Sequence, residues 1–169
     1  MALPKTLKAF NIFNAGDNHI GLVEELTLPK LTRKTEAWRG GGMGGSILLD
    51  LGQEGITIEA TYGGIMRPIL EQYGAIRHDG VQVRYAGAYR SEDADRPDQV
   101  EIVVRGRHTE IDMGSAKAGE KGSFKVSTAC SYYKLSINGQ TVIEIDFINM
   151  IENVNGKDLM ADLRSAIGL

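Results

Sequence analysis

The sequence reads as a mainly β chain, an antiparallel β-sandwich or barrel with one packed α-helix and a short C-terminal helix. Three observations lead there. Ile56, Ile58 and Ala60 alternate with Thr57, Glu59 and Thr61, and Val81, Val83 and Tyr85 alternate with Gln82 and Arg84, which is the period of a strand with one buried face. Glycine makes up 21 of the 169 residues, against a usual level of about 7%, and is spread as turn punctuation. Finally, Gln99 to Asn138 reads as two strands of about 15 residues each, more than twice the common length.

Taken in order, Phe10 to Phe13 and Ile20 to Leu28 flank the turn-forming cluster Asn14-Ala15-Gly16-Asp17-Asn18, so the chain is expected to open with a hairpin. Ser46 to Leu51 has strand character. Ile65, Ile69 and Tyr73, with Met66 and Leu70, share one helical face that stops at Gly74, and Pro68 sits in the first turn, where its missing N–H costs little. Leu159, Leu163 and Ile167 repeat the pattern before Gly168.

Within the long pair, apolar parity is even at Val100, Ile102 and Val104 and odd at Ile111 and Met113; on the return it is even at Phe124 and Val126 and odd at Tyr133, Leu135 and Ile137. Pairing residues whose numbers sum to 237 sets Met113 against Phe124, Ile111 against Val126, Val104 against Tyr133, Ile102 against Leu135 and Val100 against Ile137. Every apolar residue then meets an apolar partner. Gly106 falls opposite Ser131, so both strands are expected to change face at one level. A long hairpin does this when it bends from one sheet of a sandwich into the other through a bulge; alternatively, half of each strand buries its other face against another molecule. Asn138-Gly139-Gln140 reads as a three-residue loop, because that register opposes Leu135 to Ile143 and Tyr133 to Ile145.

Composition excludes several classes. A chain with 42% hydrophobic and 24% charged residues is not disordered as a whole. No apolar run approaches the roughly 20 residues of a membrane span, and Met1 to Phe13 lacks a signal-peptide core, so a soluble cytosolic protein without membrane contact is expected. The single Cys130 builds neither a disulfide nor a structural zinc site. With 22 acidic against 19 basic residues, a net charge of −3, there is no cationic excess for tight nucleic-acid binding.

No site residue set points to chemistry, and no enzyme, cofactor or metal is expected. Gly40, Gly42 and Gly45 satisfy G-x-G-x-x-G, but the segment that follows is a strand and not the helix N-terminus that would bind a pyrophosphate. Cys130 and His108 fall on opposite parity, since the 237 register pairs His108 with Ala129 and Cys130 with Arg107. His108, Glu110 and Asp112 project to one side of a strand, but His19 and His78 have no reason to join them, and Lys125 offers Asp112 an ordinary ion pair. Trp38, flanked by Arg33, Lys34 and Arg39, reads as a protein-interface anchor.

One resemblance spans nearly the whole chain. Leu28-Pro29-Lys30-Leu31-Thr32-Arg33-Lys34, Arg39-Gly40-Gly41-Gly42-Met43, Tyr62-Gly63-Gly64, Val104-Arg105-Gly106-Arg107, Glu110-Ile111-Asp112-Met113-Gly114, Lys117-Ala118-Gly119, Ser131-Tyr132-Tyr133-Lys134-Leu135 and Glu144-Ile145-Asp146 resemble, in order and spacing, the major tail tube proteins of contractile-tailed bacteriophages. The chain is more distantly similar to R-type pyocin tubes and to the ring-forming tube protein of type VI secretion.

The resemblance implies a non-enzymatic virion subunit, assembled in the host cytoplasm, that stacks as hexameric rings into the inner tail tube. Sheath, tape-measure, baseplate and tail terminator proteins are the implied partners, and DNA passes the lumen without specific binding. On this reading residues 1–169 are one domain with a flexible inter-subunit loop at about 33–45; Arg33, Trp38, Arg39 and Met43, with Ala2 to Ala9, are expected at axial contacts. The strands Ile56 to Thr61 and Val142 to Phe147 are expected to line the lumen through Thr57, Glu59, Thr61, Glu144 and Asp146. The alternative is a monomeric ligand-binding or catalytic β-sandwich.

Overall fold

One strand pair organises the chain. A computed structural model describes residues 1–169. Its elements are β1 (Thr6–Asn14), β2 (Asp17–Asn18), β3 (Val23–Thr27), β4 (Arg33–Trp38), β5 (Ile47–Gln53), β6 (Ile56–Tyr62), α1 (Arg67–Gln72), β7 (Val81–Arg90), β8 (Asp98–Asp112), β9 (Phe124–Ile137), β10 (Gln140–Asp146), β11 (Ile151–Val154), β12 (Lys157–Asp158) and α2 (Ala161–Ala166). All strand pairings are antiparallel. The mainly β reading, with two short helices, holds.

β8 and β9 pair as the 237 register requires at both ends, from Val100↔Ile137 to Arg105↔Tyr132 and again from Glu110↔Ser127 to Asp112↔Lys125. Between them the sum drops by one: Gly106 faces Cys130 and not Ser131, and His108 faces Thr128 and not Ala129. Two compensating bulges do this, one adding Ser131 to β9 and one adding Thr109 to β8. A bulge inserts a residue and so shifts parity while the same face stays inward. The parity changes therefore lie at two levels, Ser131 and Thr109, rather than at one. Met113 does not face Phe124: it lies beyond the last pair and is 50% exposed.

The Ser131 bulge marks a fork. β8 covers one edge of β9 throughout, whereas the other edge is taken by β6 from Phe124 to Cys130 and by β10 from Tyr132 to Ile137. Ser131 joins neither; its carbonyl accepts the Phe147 N–H at 3.1 Å. One arm is thus β3-β6-β9-β8, and the other continues through β10, β11 and β12 on one side and β7, β1 and β2 on the other. The arms close on one another over a shared core in which Ile56 and Ile58 of β6 meet Ile12, Val83, Tyr85, Val104, Tyr133 and Ile145. Gly106 sits where the bulge presses on β8; a Cβ there would lie 1.9 Å from the Ala129 carbonyl oxygen, so only glycine fits.

Under the β3-β6 arm, Tyr62, Ile69, Phe124 and Val126 form a second cluster with Ile111, Met66 and Leu70 against it. Ile69 is the one fully buried residue of α1, worth about 2 kcal/mol. A buried polar chain ties the helix down. Thr128 Oγ1 donates to His108 Nδ1 (2.9 Å), His108 Nε2 donates to Gln72 Oε1 (3.0 Å), and Gln72 Nε2 donates to Asn14 Oδ1 (2.8 Å). Those roles need a neutral imidazole, and burial pushes the His108 pKa down to about 4.

Other expectations are corrected. β1 pairs β2 at only two positions and otherwise runs along β7, while Val23–Thr27 pairs β6, so the N-terminal hairpin is vestigial. Its turn lets the chain cross to the other arm, a long-range choice that local turn chemistry does not encode. α1 is shorter than its periodic stretch, leaving Ile65 and Tyr73 exposed. The β9–β10 connection is a two-residue turn, with Asn138 at φ 50° and Gly139 at φ 79°, the left-handed pair of a type I′ turn. A bulge between Thr141 and Ile143 then restores the expected Leu135–Ile143 and Tyr133–Ile145 pairs. His108 turns inward while Glu110 and Asp112 are exposed, because the Thr109 bulge separates them. Cys130 and His108 likewise both face the core, contrary to their expected opposite parity.

Two outcomes follow from this packing. Ile111→Asp places a charge among Val126 and its neighbours and should cost several kcal/mol, about 3 or more, whereas exposed Glu110→Lys should leave Tm within a degree or two of the parent; equal losses would reject the assigned faces. His108, with a folded pKa below its unfolded value, contributes stability that is complete above about pH 6.5 and declines as pH falls toward 4, by at most about 3 kcal/mol. Tm measured between pH 7 and 5 should accordingly fall less steeply in His108→Gln than in the parent.

Candidate assembly surfaces

Residues 23–62 form a second long hairpin. Leu26↔Ala60 and Thr27↔Glu59 keep the same register as Arg33↔Gln53, and the Glu54 N–H donates to the Thr32 carbonyl at 2.8 Å to carry it across the break. Its outer half, β4–β5, leaves the body as a separate two-stranded sheet with every β4 residue exposed. Along β4, the parity of inward-facing Leu26 continues to Trp38, which pairs with Ile47, and to Glu36, which pairs with Leu49. The core face of the hairpin thus runs out past the core. Trp38 at 55% and Ile47 at 52% exposure, with Leu49 and Leu51, make an apolar stripe without a cover in the isolated chain.

This changes the picture of the expected loop at 33–45. Arg33 to Trp38 is strand, and the turn proper is 39–46. Arg33 reaches back to the body, its guanidinium donating to buried Glu152 (Nη1 to Oε2, 3.1 Å) and lying 3.7 Å from Asp50. It is an anchor within the chain. Arg39 Nε donates to the Met43 carbonyl at 3.2 Å, and the Gly40 N–H points at Met43 Sδ at 3.0 Å. Met43 and Trp38 therefore flank Gly40 at the tip. Near the N-terminus, Lys5 and Lys8 are ion-paired to Asp98 and Glu92, holding the start of β1 against the body.

Between the base of the hairpin and the β10–β11 turn lies a cleft of about 630 Å³, walled by Leu51, Phe147, Leu159 and Leu163 with the Arg33–Glu152 pair at its floor. α2 forms its rim. No α2 residue is buried; the helix is pinned instead by Arg164, which donates to the Met150 carbonyl and to Asp158, both at 2.6 Å. The same guanidinium holds the Asp158 carboxyl below its ordinary range. Its apolar residues Leu163 and Ile167, at 55% and 64% exposure, belong to the surface and not to the core that their helical spacing suggests. Exposed apolar residues on an otherwise formed helix are the signal sequence reading passes over.

The β3-β6-β9-β8 arm presents an outer face that is polar except for Ala129. Its rows run Asp112, Lys125, Thr61, Glu25; then Glu110, Ser127, Glu59, Thr27; then Arg107, Ala129, Thr57. Ser127 Oγ donates to Glu59 at 3.1 Å. Both edges of this arm are free: β3 pairs only β6, and β7 pairs β8 only as far as Gly106. Thr57, Glu59 and Thr61 come together here. Glu144 and Asp146 do not; they lie on the other arm, beside Lys134 and Tyr132, and the Asp146 carboxylate accepts the N–H groups of Ile148 (3.0 Å) and Asn149 (3.1 Å) to cap a turn.

Cys130, His19 and His108 are packed into the interior, whereas His78 is exposed with its Nδ1 2.9 Å from Ser131 Oγ. Cys130 is buried, and burial pushes its thiol pKa up to about 12, far from a thiolate nucleophile. His19, 4% exposed, has Nδ1 3.2 Å from the Tyr62 hydroxyl, and burial lowers its pKa.

This architecture is shared with chains of contractile injection systems. Over 80% of the chain it superimposes at a TM-score of 0.61 on 93% of a chain from the anti-feeding prophage tube-terminating cap, at 12% identity. A chain from the extended sheath–tube complex of an extracellular contractile injection system matches at 0.59, at 10% identity, over 79% of this chain and 91% of that one. At such identities the likeness is one of fold. Sequence carries the rest: the chain belongs to the phage tail tube protein FII family, whose pattern matches residues 4–168. It is 44% identical to the tail tube protein of Escherichia phage P2 over the full length of both, and 40% identical to the major tail tube protein of Serratia phage KSP20 over all of this chain and 99% of that one. It is a structural component of a phage tail and not an enzyme.

If the uncovered stripe is an assembly contact, Trp38→Ala should give folded, soluble subunits with a parental Tm that form no tubes by electron microscopy. Normal tubes would eliminate the hairpin as a major contact.

Proposed function

We propose that the chain polymerises as stacked hexameric rings into the rigid inner tube of a contractile tail, within the sheath, and that the tube is the conduit for DNA. The observation that carries this is the four-stranded arm with two free edges and one polar face. Its strands alternate in direction, so the free edge of β8 from Arg107 to Asp112 and the free edge of β3 run oppositely. Joining β8 of one copy to β3 of the next continues an antiparallel sheet without a break in alternation, and a head-to-tail contact of that kind closes into a ring. Closure also removes two exposed edges that would otherwise invite unregulated pairing.

In such a ring the shared core lies outside the arm, so its polar face lines the lumen. That face carries Glu25, Glu59, Glu110 and Asp112 against Arg107 and Lys125. An acidic excess suits a conduit, since a basic wall would hold phosphates by counterion release. Glu144 and Asp146 then face the exterior with the other arm, so the lumen assignment keeps Thr57, Glu59 and Thr61 and gives up those two. The stripe Trp38-Ile47-Leu49-Leu51 is covered by an adjacent ring. Sheath, terminator, baseplate and tape-measure proteins are the proposed partners, and assembly takes place in the host cytoplasm. Electron microscopy of the purified chain at high concentration tests the reading: rings or tubes are expected, and a monodisperse monomer would reject it.

The lumen assignment has its own test. Glu59→Lys should permit tube assembly but slow DNA ejection in vitro, an effect that added salt should weaken because the Debye length at physiological salt is only about 8 Å. Glu144→Lys should leave ejection at the parental rate. The reverse pattern would exchange the two faces.

A further inference from the structure

Two asparagine–glycine steps occur in the chain, Asn138-Gly139 and Asn155-Gly156, and the fold places both in the same kind of turn. Asn138 has φ 50° and Gly139 φ 79°; Asn155 has φ 51° and Gly156 φ 80°. Each pair closes a two-residue hairpin, β9–β10 in one case and β11–β12 in the other, and all four residues are exposed. Backbone geometry and solvent access are matched, so any difference in their chemistry comes from the side chains.

Those side chains differ. Asn138 is held at both ends of its amide: Oδ1 accepts the Gln99 N–H at 2.9 Å and Nδ2 donates to Asp98 Oδ1 at 3.0 Å. Asp98 is itself ion-paired to Lys5, and its carboxyl is held below the ordinary range by Lys5 and then Asn138. The Asn155 side chain makes no hydrogen bond to the rest of the chain; only its backbone N–H is engaged, by the Val142 carbonyl at 2.8 Å.

We infer that Asn155 is a site of spontaneous deamidation and that Asn138, in the same dipeptide and turn, is protected by its clamp to Gln99 and Asp98. The reaction needs no enzyme. The Gly156 backbone nitrogen loses its proton to base and attacks Asn155 Cγ, forming a C–N bond; the side-chain nitrogen leaves as ammonia, giving a cyclic imide. Water then opens the ring at either carbonyl to aspartate or isoaspartate, so one water is consumed and one ammonia released. Glycine favours the step because no Cβ hinders the attacking nitrogen. For Asn138 the same attack requires its Cγ to swing away from β8, breaking two hydrogen bonds, one of them to a carboxylate. The product at residue 155 is a new negative charge in the β11–β12 turn and, in the isoaspartate form, one extra backbone atom in a turn with only two residues to absorb it.

The test is incubation of the full-length chain at pH 8 and 37 °C, with peptide mapping by mass spectrometry to follow the gain of about one mass unit at each asparagine. Conversion at Asn155 should exceed that at Asn138 by about thirtyfold, the effect of two net hydrogen bonds. Asp98→Ala should raise the Asn138 rate toward that of Asn155 and leave Asn155 unchanged. Equal rates at the two sites, faster conversion at Asn138, or no conversion at Asn155 while a free peptide of the same sequence reacts would each overturn the inference. It is independent of tube assembly, since monomeric protein is sufficient.

Discussion

The contact on which the rest depends is the close approach of β8 and β9 at Gly106. There the extra residue Ser131 pushes the backbone of β9 toward β8 until no side chain fits between them. Because the bulge lets β9 leave β6 and take up β10 as its neighbour, one strand serves two sheets. Without the fork, β6 and β10 would compete for the same edge. With it, the arms fold over a shared core, and the second bulge at Thr109 restores the register so that Ile111 and Val126 still meet beneath α1. Two small irregularities, each of which spends a ladder hydrogen bond, make a sandwich from what would otherwise be a flat ribbon.

A consequence of that economy is a subunit left incomplete at its margins. The interior is well satisfied: no buried side-chain nitrogen or oxygen lacks a hydrogen-bond partner. The margins are different. The β4–β5 half of the long hairpin continues an apolar face beyond the core, α2 buries none of its residues, and the β3 and β8 edges have open backbone groups. Exposed apolar patches and open edges are costly for a monomer that must stay soluble. They are coherent with the ring assembly proposed above, in which further copies supply what is missing. The polar residues that look chemical in isolation, His19, His108 and Cys130, belong instead to the well-satisfied interior.

Sequence alone determined the mainly β character, the extent of the 99–138 hairpin and its register from Val100 to Arg105 and from Glu110 to Asp112, though not the strand Arg33–Trp38 inside the expected loop. Alternation and cross-strand matching are local or pairwise properties, and a one-residue slip would turn every apolar side chain of a half-strand to the wrong face. It also carried the family, through motifs spread along the chain. What only the tertiary structure decided is where the bulges fall, which strand β9 accepts on its second edge, and which faces are left uncovered. Parity shows that a residue has been inserted but not where, because Gly106, Thr109 and Ser131 are all small or polar residues tolerated at such a site. Thr57 and Glu144 have the same local signature, a polar residue in an alternating strand, and the fold sends them to different arms. The N-terminal turn cluster reads as a hairpin but serves a crossing, since the pairing of β3 with β6 rests on contacts more than 30 residues apart in the chain. Such choices are settled by which apolar faces can be buried together, a property of the whole core that no window of sequence contains.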